Sequence, residues 1–324
     1  MKNLLLTGCA GFIGSHMAEK ILTDERFRDY QVIALDNFDA FYDLAIKKKN
    51  LEKLLPQSRF KFIEGFSGDT PLLHKIFSEF KISGVIHLAA RAGVGPSLKD
   101  PGMYAYLNLM GTQELLHLAG KGLGGAGPVE QFIFASSSSV YGKSSEVPFS
   151  EKETCLEPLS PYAATKRAGE VLAWNAFHLY GLPLTSLRFF TVYGPRQRPE
   201  MAISKFTRAI RDGHPVELFD GGSLRRDFTY VDDIVSGALN SYFYRLGEPH
   251  YEIFNLGNSQ TVSVKELISQ LEIVVGKKAI VKNVPSPAGE MPITFANIDK
   301  AKQLLKYEPR TNLSQGLQKY WNSL

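Results

Sequence analysis

An α/β fold built on an open, doubly wound parallel sheet is the class this sequence predicts, and three observations predict it. Short apolar runs recur through roughly the first 190 residues, with helix-like amphipathic stretches between them. A glycine cluster at Gly8, Gly11 and Gly14 separates the first run from the first helix. Strands alternating with helices imply βαβ units and a parallel sheet covered on both faces.

The elements follow in order. Residues 4–7 read as a buried strand, and residues 15–22 as the helix after the glycine loop. A second strand, residues 31–35, ends at Asp36. Residues 60–64, 84–88, 131–135 and 184–189 supply the third to sixth strands. Residues 104–119 and 162–180 are the principal helices between the later strands, and residues 120–128 form a glycine-rich loop. Beyond residue 190, Pro195, Pro199, Pro215, Gly221 and Gly222 punctuate shorter elements, with small amphipathic helices at residues 264–271 and 298–305. The expected organisation is a nucleotide-binding domain over residues 1–188, rejoined by residues 228–258. A smaller mixed α/β substrate domain takes residues 189–227 and 259–324.

Composition excludes several classes. Hydrophobic residues make up 44% of the 324, charged residues 22%, and the net charge is +4. That is ordinary for a globular enzyme and argues against a nucleic-acid partner. The longest basic run, Lys47, Lys48 and Lys49, reads as a solvated helix face. Cys9 and Cys155 make neither a disulfide framework nor a metal-ligand spacing, so no metal is expected. The opening apolar run is too short for a signal peptide or a membrane span, and a cytoplasmic location is expected.

Three motifs carry chemistry. Glycines between a first strand and a first helix permit tight turning and close approach to a pyrophosphate, which the helix N-terminus attracts. Asp36 stands 22 residues past Gly14. A carboxylate there can bond ribose hydroxyls and would repel a 2′-phosphate, favouring NAD over NADP. Ser136, Ser137, Ser138 and Ser139 leave the fifth strand at its C-terminal end, the edge where open parallel sheets bind ligands. Finally, Ser160 can cap a helix whose first turn suits Pro161. Tyr162 and Lys166, four residues apart, then share a face of it. An ammonium near the phenol is expected to lower its pKa and fit it to take a hydroxyl proton.

These motifs, with His87-Leu88-Ala89-Ala90, the stretch Arg188 to Pro195 and the stretch Arg226 to Asp233, occur in an order that resembles the extended short-chain dehydrogenase/reductases. Within them the chain is similar to the NAD-dependent epimerase/dehydratase family acting on nucleotide sugars. The resemblance implies a Rossmann-type fold, bound NAD, a UDP-sugar substrate and a homodimer joined through the helices of residues 104–119 and 162–180. It implies Ser137, Tyr162 and Lys166 as catalytic residues. Its cofactor set is Gly8, Gly11, Phe12, Ile13, Gly14, Asp36, Asn37, Leu88, Ala89, Ala90, Asn108 and Phe190, together with Tyr162 and Lys166. Ser138, Ser139, Thr191, Arg196, Arg226 and Glu290 fall to the substrate.

The residues before Val140-Tyr141 separate the reactions of the family. Dehydratases carry Asp-Glu there and the uronate decarboxylases a Glu; here Ser138 and Ser139 stand instead. A hydroxyl does not transfer protons as a carboxylate does near neutral pH, so oxidation and re-reduction at C4 is the expected chemistry. The string from Phe189 to Ala202 resembles UDP-glucuronate 4-epimerases, in which hydroxyls matching Ser138, Ser139 and Thr191 hold the C5 carboxylate. The alternatives are a UDP-N-acetylglucosamine or UDP-glucose 4-epimerase, a UDP-glucuronate decarboxylase, or a non-catalytic NAD-binding protein. The chain departs from the family pattern at Phe66, where an aspartate is common, and at Gly95, where an arginine is common. Pro287 precedes Gly289-Glu290, as in the glucuronate branch.

Overall fold

The computed structural model describes residues 1–143, 146–285 and 291–324. Strand β1 (Lys2–Thr7) leads through the glycine loop into α1 (Phe12–Thr23), followed by β2 (Tyr30–Asp36), α2 (Leu44–Leu51), β3 (Phe60–Glu64), α3 (Thr70–Phe80) and β4 (Ile82–His87). Next come α4 (Val94–Lys99), α5 (Pro101–Ala105), a π turn at Tyr106–Met110 and α6 (Gly111–Lys121). Strand β5 (Gln131–Ser137), the long α7 (Pro161–Tyr180) and β6 (Leu184–Phe189) complete the expected alternation. The rest is β7 (Thr191–Tyr193), α8 (Ala202–Asp212), β8 (Pro215–Phe219), β9 (Arg225–Arg226), β10 (Phe228–Tyr230) and α9 (Val231–Tyr242). After these come β11 (Tyr251–Leu256), β12 (Val262–Ser263), α10 (Val264–Val275), β13 (Ile280–Val284), α11 (Asp299–Leu305) and α12 (Leu313–Trp321).

Seven strands form one sheet in the order β11-β6-β5-β4-β1-β2-β3, parallel throughout. This is the Rossmann-type doubly wound sheet expected from the sequence. Alternate side chains of each strand feed opposite faces. Leu4 and Leu6 join a core with α1 and α9, whereas Leu5 joins a separate core with α3, α6 and α7. Both faces are therefore buried, which is why the strands read as nearly continuous apolar runs. The seventh strand, β11, lies beyond the six read from the sequence and rejoins the sheet beside β6. Among the described residues, β7 with β10, β9 with β12 and β8 with β13 form separate two-stranded sheets. Helices α8, α10 and α12 pack beside them.

Local chemistry sets the boundaries that matter for the cleft. The Ser160 hydroxyl accepts from the Ala163 N–H at 3.1 Å, Pro161 opens the first turn of α7, and Gly181 at φ 64° ends the helix. β5 runs two residues past its expected end, so Ser136 and Ser137 belong to the sheet. The expected helix over residues 104–119 is interrupted by the π turn that carries Asn108. Such turns change which way a side chain points and recur at functional sites. No helix among the described residues is long and apolar enough to cross a membrane.

The glycine loop is held by contacts that leave no room for a side chain. A Cβ on Gly14 would lie 2.0 Å from the Gly8 carbonyl oxygen, and one on Gly8 2.8 Å from the Ala89 nitrogen. Backbone blocks both positions, so neither clash can be relieved by a rotamer change. Gly14→Ala is expected to lower stability by about 3 kcal/mol in denaturant titration. Gly102→Ala, in open space near the start of α5, is the control and should be neutral or raise stability by about 0.5 kcal/mol.

Candidate active site

A cleft of about 550 Å³ crosses the carboxyl ends of the strands where β1 and β4 diverge. Open α/β sheets bind ligands at this switch point, and the volume is of the size that holds small organic ligands. Gly8, Gly11, Phe12, Ile13 and Gly14 line one end. Gly11 precedes α1, whose free N–H groups face the loop. Asp36 and Asn37 line the wall beyond it, and Leu88, Ala89 and Ala90 the opposite wall. The Asp36 carboxylate is buried and accepts from the Ala10 N–H at 3.0 Å and the Phe38 N–H at 2.9 Å. Burial raises its pKa, while the nearby Lys47 ammonium and these two donors pull it back.

Ser137, Tyr162 and Lys166 meet at the middle of the cleft. Lys166 is buried and donates to the Ala135 carbonyl at 2.7 Å, with its ammonium 5.2 Å from the Phe134 ring centroid. Loss of water pushes its pKa down to about 7. Burial also raises the Tyr162 pKa, opposed by the Ser137 hydroxyl and the Arg198 guanidinium. The sequence expectation that Lys166 lowers the Tyr162 pKa is thus corrected. Burial dominates, the charge that pulls the pKa down is that of Arg198, and the Lys166 ammonium is turned to a backbone carbonyl.

Hydroxyls gather on the same side. Ser137 Oγ donates to Ser139 Oγ at 3.1 Å and accepts from the Ser139 N–H at 3.2 Å, capping the short turn Ser138–Tyr141. Ser138, Ser139 and Thr191 all line the cleft, as do Phe190 and Arg226. Behind Arg226, the buried Asp227 carboxylate accepts the N–H groups of Asn258, Ser259 and Ala296 and the Thr229 hydroxyl. Burial nevertheless lifts its pKa to about 6. This one carboxylate joins its own segment to the backbone at residues 258–259 and at Ala296.

Two named residues lie elsewhere. Asn108 sits behind the cleft wall: its Oδ1 accepts from the Arg91 N–H at 2.8 Å, and its Nδ2 donates to the Arg91 carbonyl and to Thr165 Oγ1. Arg196 turns away, donating to Glu19 at 3.0 and 2.6 Å and bonding His16. Arg198, two residues on, faces the cleft. The sequence signal for it was only a string of two arginines, which does not say which one points inward. Glu290, with Pro287 and Gly289, falls outside the described residues. Phe66 lines the cleft and packs 5.5 Å from the Tyr106 ring. Arg91, nearest to Gly95, is paired with Asp39 at 3.1 Å and Asp100 at 3.2 Å.

The fold and this constellation define a Rossmann-type protein whose cleft brings a serine, a tyrosine and a lysine together beside a glycine-loop cradle. The chain belongs to the NAD dependent epimerase/dehydratase family, whose model matches residues 4–257. It is 41% identical to UDP-glucuronate 4-epimerase 2 of Arabidopsis thaliana, across 98% of this chain and 74% of that protein. It is 40% identical to UDP-glucuronate 4-epimerase of Thermodesulfobacterium geofontis, across 98% and 94%. The crystal structure of UDP-glucuronic acid 4-epimerase from Bacillus cereus, in complex with UDP-glucuronic acid and NAD, superposes with a TM-score of 0.91. It shares 37% identity, over 99% of this chain and 98% of that one. The residues present fit NAD: a cradle that any Cβ would fill, a helix N-terminus for the pyrophosphate and the Asp36 carboxylate for ribose hydroxyls.

Arg198 has a testable electrostatic role. Its charge lowers the Tyr162 pKa, so its removal raises that pKa. A base must be deprotonated to act, so Arg198→Met is expected to move the acidic limb of the kcat–pH profile to higher pH. An unmoved limb would show that Arg198 does not act through Tyr162.

Proposed function

We propose that the chain epimerises a UDP-sugar at C4, interconverting UDP-glucuronate and UDP-galacturonate through a 4-keto intermediate. The observation that carries this reading is the hydroxyl group of Ser138, Ser139 and Thr191 at the cleft, next to Ser137, Tyr162 and Lys166. Short hydroxyl side chains fit a carboxylate substituent, accepting its orientation and donating to its oxygens. The relatives named UDP-glucuronate 4-epimerase at 41% and 40% identity support the same assignment.

NAD, when bound, supplies a hydride acceptor that then returns the hydride. Tyr162 takes the proton from the C4 hydroxyl and later gives it back. Ser137 donates to the reacting oxygen and holds it near the phenol. Lys166 would hold a ribose hydroxyl of the bound NAD, and its lowered pKa suits it to pass a proton near neutral pH. Arg226, which lines the cleft, takes the diphosphate. The 4-keto sugar turns about its bond to the diphosphate and presents its other face. Ser138, Ser139 and Thr191 hold the carboxylate of this β-keto acid out of the alignment that breaks the C5–C6 bond.

The assembly proposed is a homodimer, and the compartment the cytoplasm. Exposed apolar side chains support the first: Met103, Tyr106 and Met110 on the α5–α6 segment, and Val171, Trp174 and Leu179 on α7. Helices α6 and α7 pack side by side, so both rows can meet their copies in a four-helix contact. Two unpaired cysteines agree with the second.

Two measurements test this. Wild-type protein given UDP-glucuronate should yield UDP-galacturonate by NMR, and Tyr162→Phe should cut kcat by about 10³-fold. UDP-N-acetylglucosamine turnover without UDP-galacturonate formation, or CO2 release as the main outcome, would reassign the substrate or the reaction. In light scattering, wild-type should run as a dimer and Val171→Asp/Trp174→Asp as a folded monomer. A monomeric wild-type would remove the dimer.

A further inference from the structure

The catalytic helix carries a buried charge that the chemistry above does not use. Glu170 lies four residues past Lys166 and eight past Tyr162, and its side chain has no exposure. Its Oε1 accepts from Ser136 Oγ at 2.6 Å and from Arg188 Nε at 2.9 Å. Its Oε2 accepts from Arg188 Nη2 at 2.9 Å and from Arg167 Nη1 at 3.2 Å. Arg188 is 1% exposed and stacks 4.7 Å from the Tyr141 ring centroid.

The positions of these partners matter more than their number. Ser136 and Arg188 are direct register partners on β5 and β6. Ser136 precedes Ser137, and Arg188 stands two residues before Phe190 and three before Thr191. One carboxylate therefore ties α7 to both strand ends that deliver the other half of the site.

Large side chains anchor the C-terminal half of α7, where Leu172, Phe177 and Tyr180 pack against the core and Tyr251. Its fully buried apolar residues are small: Ala163, Gly169, Ala173 and Ala176. They let the helix approach closely; a Cβ on Gly169 would lie 2.4 Å from the Phe134 ring. In the turns that carry Tyr162 and Lys166, polar contacts therefore share in setting the helix: Lys166 to the Ala135 carbonyl, Thr165 to Asn108, and Glu170 to Ser136 and Arg188. A slip of one residue moves Tyr162 by about 1.5 Å, far more than a hydrogen bond tolerates. Nor does the buried ion pair earn its place by stability, since well-packed apolar residues often serve as well there.

We propose that Glu170, with Ser136 and Arg188, is a positioning device that sets the axial register of α7 and so the distance from Tyr162 and Lys166 to Ser137. The proposal rests on the epimerase reading above, because its readout is that reaction.

The test uses the NAD-loaded enzyme and UDP-glucuronate. Glu170→Leu/Arg188→Met removes both charges at once and leaves Arg167 free to turn to solvent. The expected result is a folded protein with wild-type NAD content and KM, but with kcat per bound NAD lowered by about tenfold or more. A structural role alone would lower the melting temperature and leave kcat per bound NAD unchanged. That result would overturn the proposal, as would a KM that rises in step with the loss of kcat. Should the double variant not fold, Ser136→Ala decides: kcat falls several-fold at constant KM, and Ser136→Thr, which keeps the hydroxyl, restores it. Wild-type kcat in Ser136→Ala would then overturn the proposal. A wild-type enzyme inactive on UDP-glucuronate would instead sink the functional reading, so the two failures are distinct.

Discussion

The whole cleft depends on one close approach of backbone to backbone. Gly8, at φ 72°, donates its N–H to the Leu35 carbonyl at 2.8 Å while its Cα faces the backbone of Ala89. This stitches the end of β1 to β2 on one side and to the exit of β4 on the other. Gly14 then folds α1 back over the Gly8 carbonyl. Asn50 and Asp36 close the turn by bonding the Ala10 carbonyl and N–H. With side chains at these glycines, α1 could not start where it does, and β1 and β4 could not part to open the cleft. The chemistry of residues 137–166 is delivered to a space that this crossing creates.

Charge finishes what the backbone begins. Three buried or partly buried carboxylates each gather separate segments: Glu170 joins α7, β5 and β6; Asp227 joins the backbone of Asn258 and Ala296 to its own segment; Asp39 holds Arg91. All three face several donors, as the high cost of removing a carboxylate from water requires. Lys166 is the exception in sign. Buried and donating to the Ala135 carbonyl, it loses so much hydration that its pKa falls to about 7. A residue placed near the middle of the proton scale in this way suits a site that must both take and return a proton.

Much of this was legible in the chain. The parallel sheet follows from apolar runs whose alternate residues serve two cores, as Leu4, Leu5 and Leu6 do. The start of α7 follows from Ser160 and Pro161, because capping is a local interaction. Other features are tertiary and left no local mark. The sequence could name Arg196 but not foresee that Glu19 and His16, some 180 residues earlier, hold it away from the cleft while Arg198 faces inward. It could place Asn108 near the cofactor but not in a π turn that turns it to the Arg91 backbone. Nor could it weigh desolvation against the Tyr162–Lys166 attraction, since burial depth belongs to the fold. The structure brings Tyr162 and Lys166 to one cleft, and burial rather than the ammonium governs the phenol's pKa.

The hydroxyl cluster shows why weak partners suit the proposed substrate. A 4-keto uronate loses CO2 when its C5–C6 bond lies parallel to the carbonyl π system, so the site must fix an orientation rather than only attract a charge. A single flexible cation would attract the carboxylate from many angles. Ser138 and Ser139 have short side chains on a one-turn helix, itself capped by Ser137. Thr191 stands at the start of β7, its N–H bonded to the Asp227 carbonyl at 3.0 Å. Each hydroxyl therefore has a position set by backbone and only one rotor to adjust. Several modest, directional hydrogen bonds of about 1 kcal/mol each then constrain the torsion about C5–C6 better than one strong, loosely directed ion pair. On the proposed reading, the absence of a carboxylate acid before Val140 and the presence of three fixed hydroxyls would serve the same end: keeping the carbon chain intact while C4 is inverted.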